Sequence, residues 1–191
     1  AATVKQKIGE IKYRDLNHDG KITDSDRTII GDTNPDFTYG ITNNISWKDL
    51  SLTFMFQGSK GNDIFNGNLQ DITLGNIGNI TCDAYNSRWT ADYENAKWPK
   101  ASSGYNRTYL ISNRYVEDGS YLKLKNISLS YKWHHPVAGI EMAQFSFGAT
   151  NLFTITDYSW YDPDVNAFGS DSSRRGVDIY SYPAARTFTF G

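Results

Sequence analysis

The chain has 191 residues with 19 basic and 21 acidic side chains, a formal net charge of −2. Near-neutrality removes the basic surface that nucleic-acid binding needs, and no run reaches the ~18 apolar residues of a spanning helix. The single cysteine, Cys82, excludes an internal disulfide framework and a multi-cysteine zinc site. Aromatics make up 15% of the residues while mean hydropathy is −0.55, a pairing that points to a ligand-binding β-protein or to a lipid interface.

The first sharp motif runs from Asp15 to Asp26. Oxygen donors at loop positions 1, 3 and 5 (Asp15, Asn17, Asp19) suit a hard cation that takes about 6 to 8 oxygens. Gly20 at position 6 permits the sharp turn, and Lys21 at position 7 offers its backbone carbonyl. Thr23 stands at position 9, and position 12 is Asp26 where an EF-hand has Glu. The stretch resembles dockerin-like loops. The expectation is one structural Ca²⁺ of the weak extracellular class, about 10⁻⁴ to 10⁻³ M. Asp24 to Ile30 can form about two helical turns, and the polar middle of the chain leaves room for another short helix.

Strand signals follow. From Phe37 to Trp47 the odd positions are bulky and the even ones small and polar, broken only at Asn43. Lys48-Asp49 reads as a tight turn into Leu50, Leu52, Phe54 and Phe56, which alternate with polar neighbours. A third run spans Tyr121 to Trp133, and the chain turns over 134–142. A fourth run spans Gln144 to Phe153, and a fifth begins at Arg186. The links at 58–120 and 154–185 are long, whereas those on the other side are short. Such asymmetry belongs to outer-membrane barrels and is rare in compact soluble domains. Eleven residues at ~3.3 Å, tilted ~40°, span about 28 Å, near the ~25 Å apolar band of such barrels. Trp47, Tyr131 and Trp133 sit at strand ends where an aromatic girdle belongs. Periodicity alone leaves two architectures open, a barrel wall and a sandwich.

A series of local motifs then carries a resemblance. It runs from Gly9-Glu10-Ile11-Lys12-Tyr13-Arg14 through the Asp15 loop, Arg27-Thr28-Ile29-Ile30-Gly31 and Asn34-Pro35. It continues with Phe56-Gln57-Gly58-Ser59-Lys60-Gly61-Asn62, Val116 to Asn126, Thr150-Asn151-Leu152-Phe153-Thr154, Tyr161-Asp162-Pro163-Asp164-Val165-Asn166 and Arg186 to Gly191. In this order the motifs resemble the C-terminal end of the SusC/RagA family of TonB-linked outer-membrane receptors, most weakly at 62–110. The resemblance implies an all-β fold, the last five strands of an antiparallel transmembrane barrel. It divides the chain into an extracellular loop at 1–36 carrying the calcium motif and barrel strands and loops at 37–191. It implies import of glycans or peptides, with TonB acting through an absent N-terminal plug part, a SusD-like surface lipoprotein as partner, and outer-membrane lipid around the wall. Loops would face outward and short turns the periplasm. The other architecture would make a soluble, secreted, calcium-stabilised β-sandwich that binds carbohydrate.

Candidate contact residues for substrate or partner are the loop aromatics Trp89, Trp98, Tyr105, Tyr158, Trp160 and Tyr161, whose flat rings can stack on sugars or peptides. No catalytic constellation emerges. Cys82 lacks a positioned base. His134 and His135 flank a turn without a third ligand. Glu117-Asp118 and the Asp162/Asp164 pair read as turn and loop motifs rather than a glycosidase pair. The chain is read as a non-enzyme.

Overall fold

The computed structural model describes residues 7–74, 79–101, 110–164, 167–169, 171 and 174–191. The alternating runs are strands: β1 (Phe37–Trp47) and β2 (Leu50–Lys60) pair antiparallel from Trp47↔Leu50 to Phe37↔Lys60. Lys48, at φ 53°, makes the tight turn between them. Three short elements follow β2: β3 (Asp63–Asn66), α1 (Gly67–Leu74) and α2 (Cys82–Asn86). Further on come β4 (Val116–Asp118), β5 (Tyr121–Val137), β6 (Ile140–Thr156), β7 (Val177–Asp178) and β8 (Thr187–Phe190). The main sheet has the order β1-β2-β5-β6-β8, and a small sheet has the order β4-β3-β7. Within 24–30 only Asp24–Asp26 is helical, one 3₁₀ turn capped by Thr23.

Two differences from the sequence reading have local causes. β5 and β6 each run to 17 residues and meet at Ala138-Gly139, so the turn is shorter than 134–142. Pro136, which argued for a turn, lies within β5 where the register shifts between His134 and Val137. A bulge is one of the places where a strand tolerates a residue without an N–H. The second difference is a disruption of register higher in the sheet. Between paired levels, β2 goes from Met55 to Phe56, β5 from Asn126 to Leu124, and β6 from Thr150 to Phe153. Neighbouring strands thus take one, two and three steps to cross the same level. Asn151, at φ 51°, supplies the unusual backbone in β6. The bulge reverses parity in β5, so Leu122 and Leu124 share a face with Ile127, Leu129, Tyr131 and Trp133.

One face of the sheet is an open apolar surface. Phe54, Phe56 and Phe153 run across it with ring centroids 5.8 and 6.2 Å apart, and Phe147 meets Phe190 at 5.2 Å. Trp47 is 67% and Phe190 77% exposed. The other face carries Thr, Ser and Asn linked across strands, with Thr53 Oγ1 donating to Asn44 Oδ1 at 2.7 Å. Both faces of β1 are open. A sandwich would bury its apolar face against a second sheet; among the described residues this face is left open, as in a barrel wall. Seventeen residues at ~3.3 Å, tilted ~40°, rise about 43 Å, so β5 is longer than a ~25 Å apolar band requires.

The chain gathers into two compact units interleaved in sequence. Unit 1 comprises 1–31, 65–116 and 178–180; unit 2 comprises 32–64, 117–177 and 181–191. In unit 1, Ala84, Trp98 and Tyr115 are buried together, with Phe65, Leu69 and Ile80 packed against them. Asn66 Oδ1 accepts from the Leu69 amide at 2.9 Å and Thr81 Oγ1 from the Ala84 amide at 3.1 Å, capping α1 and α2. Buried Asn68 ties the 178–180 segment to α1 by accepting from the Tyr180 amide at 2.6 Å. The described residues of the long 58–120 link thus form built structure.

Candidate functional site

Three arrangements carry chemistry. The first is the Asp15–Asp26 loop of unit 1, wound around its own carboxylates. Asp15 Oδ2 accepts from the Gly20 amide at 2.7 Å, Asp19 Oδ1 from the Lys21 amide at 2.8 Å, and Asn17 Oδ1 from the Asp19 amide at 3.0 Å. Asp26 closes the loop, accepting from Leu16 at 2.9 Å and Thr23 at 2.7 Å. These amide bonds, from Thr23 first, hold its carboxyl below the ordinary value. The left-handed turn falls on His18 and Gly20, at φ 61° and 80°. Asp15 Oδ1 is buried and meets no donor. A buried carboxylate oxygen without a partner is costly, and a cation there would satisfy it. Among the described residues no group of three His, Cys, Asp or Glu converges as a metal site, so a cation would also need Asn17 and the Lys21 carbonyl.

The second is a pocket of about 530 Å³ in unit 1, lined by 9–14, 89, 94, 96–99 and 112–114. It includes two of the aromatic residues singled out in the sequence. Trp89 is half-buried over Gly9, where a Cβ would stand 2.7 Å from the indole; only glycine, here at φ 83°, lets the ring lie on the backbone. Trp98 is almost fully buried, its Nε1 donating to Asp83 Oδ2 at 2.9 Å. The Lys97 ammonium and the Arg114 guanidinium lie 5.0 and 4.8 Å from its ring centroid. Arg114 also donates to the Lys97 carbonyl. Burial, with Tyr115 and the Glu10 carboxylate near it, pushes the Tyr13 hydroxyl up to about 12, so it remains a neutral donor at neutral pH.

Asp83 is the clamp of this wall. Its carboxylate takes Lys97 at 2.8 Å as well as Trp98, and Lys97 first, then Trp98, hold its pKa below the usual value of 3.8. A depressed carboxyl contributes stability that is complete above the ordinary value and is lost as pH falls through the depressed one. Acid titration of the protein is therefore expected to leave Trp98 emission constant until pH drops below the ordinary carboxylate range. Emission is read as the difference between the parent and Trp98→Phe; a transition near neutrality would contradict the assignment.

The third is a buried ion cluster in unit 2. The Lys123 side chain is 1% exposed, and its Nζ lies 2.9 Å from Asp162 Oδ1 and 3.3 Å from Asp164 Oδ2. Lys125 reaches Asp164 at 3.6 Å. Asp162 also accepts from the Asp164 amide at 3.0 Å and the Ala184 amide at 3.3 Å, gathering two loop segments onto β5. The sequence reading noticed Asp162 and Asp164 but not Lys123, which plain alternation puts on the side of Ile127 and Leu129 and which only the bulge in β5 moves to the side of Asn126 and Ser128.

The remaining contact candidates divide. Tyr158 is buried, Trp160 is half-buried, and Tyr161, 72% exposed, packs on Trp160 at 4.9 Å. These three belong to unit 2 and Trp89 and Trp98 to unit 1; Tyr105 lies outside the described residues. Cys82 is an exposed free thiol, and His134 pairs with Asp49 at 2.9 Å across the short turns.

No protein-family model matches the chain. It is 37% identical over 191 residues to TonB-dependent receptor P3 of Formosa agariphila, covering 96% of this chain and 18% of that protein. It is 33% identical to TonB-dependent receptor P26 of the same organism, covering 97% and 19%, and 24% identical to TonB-dependent receptor SusC of Bacteroides thetaiotaomicron, covering 95% and 17%. The chain thus spans about a fifth of the length of the curated relatives it matches. Among solved structures, the RagAB peptide transporter superposes with a TM-score of 0.69 at 25% identity, over 88% of this chain and 18% of that one. The RagAB peptide importer in its closed-closed state gives 0.67 at 24%, over 95% and 20%. With the open-apolar wall, the small polar opposite face and the motif series in place, the chain belongs to the SusC/RagA family of TonB-dependent receptors, as a C-terminal portion of one.

Proposed function

We propose that the chain forms the closing wall strands and extracellular loops of a TonB-dependent outer-membrane importer of glycans or peptides, working with a SusD-like surface lipoprotein. The observation that carries this reading is the single-layer sheet, apolar on one face and small and polar on the other. In hydrocarbon such a sheet needs its edges paired, so the rest of the receptor supplies the neighbouring strands, and the plug part receives TonB. The chain then contributes no chemistry of its own; it shapes a path and its mouth. The test is the intact receptor in its own cells. It should fractionate with the outer membrane, resist SDS until boiled, co-purify with a lipoprotein, and be required for uptake of one glycan or peptide class. Recovery as a soluble protein in plain buffer would overturn the reading.

The Asp15 loop serves this reading as a calcium staple outside the cell. Asp15, Asn17, Asp19, the Lys21 carbonyl and Asp26 are the donors, and Asp15 Oδ1 is the oxygen most in need of a cation. At millimolar calcium, a weak site of this class stabilises its loop by about 0.4 to 1.4 kcal/mol. Chelation should therefore speed proteolysis at 10–35 two- to tenfold (about the same free energy), and Asp15→Ala should remove the difference between calcium and chelator. Equal cleavage in both conditions for the parent would refute the site.

A further inference from the structure

The pocket of unit 1 has a charge pattern that narrows its ligand. Its wall carries Lys12, Arg14, Lys97 and Arg114 against Glu10 and Glu94, a positive surplus inside a chain of net charge −2. Lys97 is neutralised by Asp83 at 2.8 Å. Lys12, Arg14 and Arg114 have no carboxylate partner among the described residues, although the Arg114 guanidinium is braced over Trp98. Ser112, in the same wall, holds a buried Oγ that finds no hydrogen-bond partner. Beside these lie the half-buried indole of Trp89 and the neutral hydroxyl of Tyr13.

Each ligand class leaves a different remainder. A purely apolar group would desolvate three cations and a serine hydroxyl without compensation. A neutral sugar would match the indole face and the hydroxyl but leave the cations unmet. A peptide side chain would need an aliphatic socket, and only Ile11, Ala96 and Pro99 are of that kind. A pyranose ring bearing a carboxylate or sulfate answers every group: the anion for the cations, the ring face for Trp89, and hydroxyls for Glu94 and Ser112. The volume, about 530 Å³, lies in the ordinary range for ligand sites, about 300–1,000 Å³.

We propose that this pocket is a binding site for an acidic saccharide, its anionic group met by Lys12, Arg14 and Arg114 and its ring stacked on Trp89. The purpose of such a site rests on the importer reading; its chemistry rests on the pocket. The experiment uses the intact receptor purified in detergent at low ionic strength, with tri-galacturonate, maltotriose and tri-glutamate as probes. Tri-galacturonate should bind the parent about tenfold more tightly than maltotriose. The variant Lys12→Gln/Arg14→Gln, both exposed positions, should lose about tenfold in that affinity while keeping its SDS resistance. Added salt should weaken the parent and narrow the gap between parent and variant. Equal binding of maltotriose, equal binding of tri-glutamate, or an unchanged affinity in the variant would each overturn the proposal. The two readings fail separately. Uptake that is undisturbed in the variant, together with unchanged affinity, retains the importer and removes this site. Binding that depends on Lys12 and Arg14 in a receptor that imports nothing retains the site and removes the importer.

Discussion

Lys123→Ala is expected to release the 157–164 segment from β5 and to cost about 3–5 kcal/mol, because it strips a buried carboxylate of its counter-charge. Asp162 would keep the amides of Asp164 and Ala184 but lose the ammonium at 2.9 Å. The reciprocal change, Asp162→Ala, strands a lysine that is 1% exposed and should cost as much. Removing both charges together, as Lys123→Met with Asp162→Leu, should recover a large share of the loss, since a buried pair gains little net stability over an apolar pair of similar size. Equilibrium unfolding of the intact receptor measures the cost, and limited proteolysis over 154–185 locates it. If either single variant lay within about 0.5 kcal/mol of the parent, the range of an ordinary surface change, the cluster would not hold the loop.

Leu129→Arg is expected to cost about 2–4 kcal/mol, the depth-dependent penalty for a cation on the lipid face of a barrel. Leu129 pairs with Leu52 and Phe147 on the apolar face. Its neighbour Ser128 lies on the other face, paired with Thr53 and Gly148, and Ser128→Arg should change conduction or affinity with far less loss of stability. Denaturant unfolding of receptor refolded in lipid vesicles separates the two. Equal costs at the adjacent positions would contradict the assignment of faces.

The long strands were readable because their signal is local. Phe37 to Trp47 and Leu50 to Phe56 alternate without help from distant sequence, and the turn at Lys48-Asp49 follows. β4 and β7 were not readable at 3 and 2 residues, too few for a period to register, and the four residues of β3, Asp63–Asn66, lack the alternation that Thr187–Phe190 shows. The turn of 15–26, wound around its own carboxylates, was legible because its residues are neighbours in sequence. Lys123 and Asp162 stand 39 residues apart, and nothing local announces their meeting. Trp89 and Trp98 were singled out for their rings, yet the exposed cations Lys12 and Arg14 beside them are brought there by the fold of unit 1. Trp98 itself serves mainly as packing, held between Asp83, Lys97 and Arg114.

The staggered step counts across β2, β5 and β6 have a consequence for how such a wall can vary. Side-chain facing depends only on whether residue counts are odd or even, and the crease around Lys125 and Asn151 absorbs the unequal counts of β2, β5 and β6 while the apolar face continues across it. A length change on the Tyr121 side of the crease, in steps that it takes up, leaves the residues on the Trp133 side in phase. The crease therefore acts as a splice line: one end of the sheet can change length without a matching change at the other.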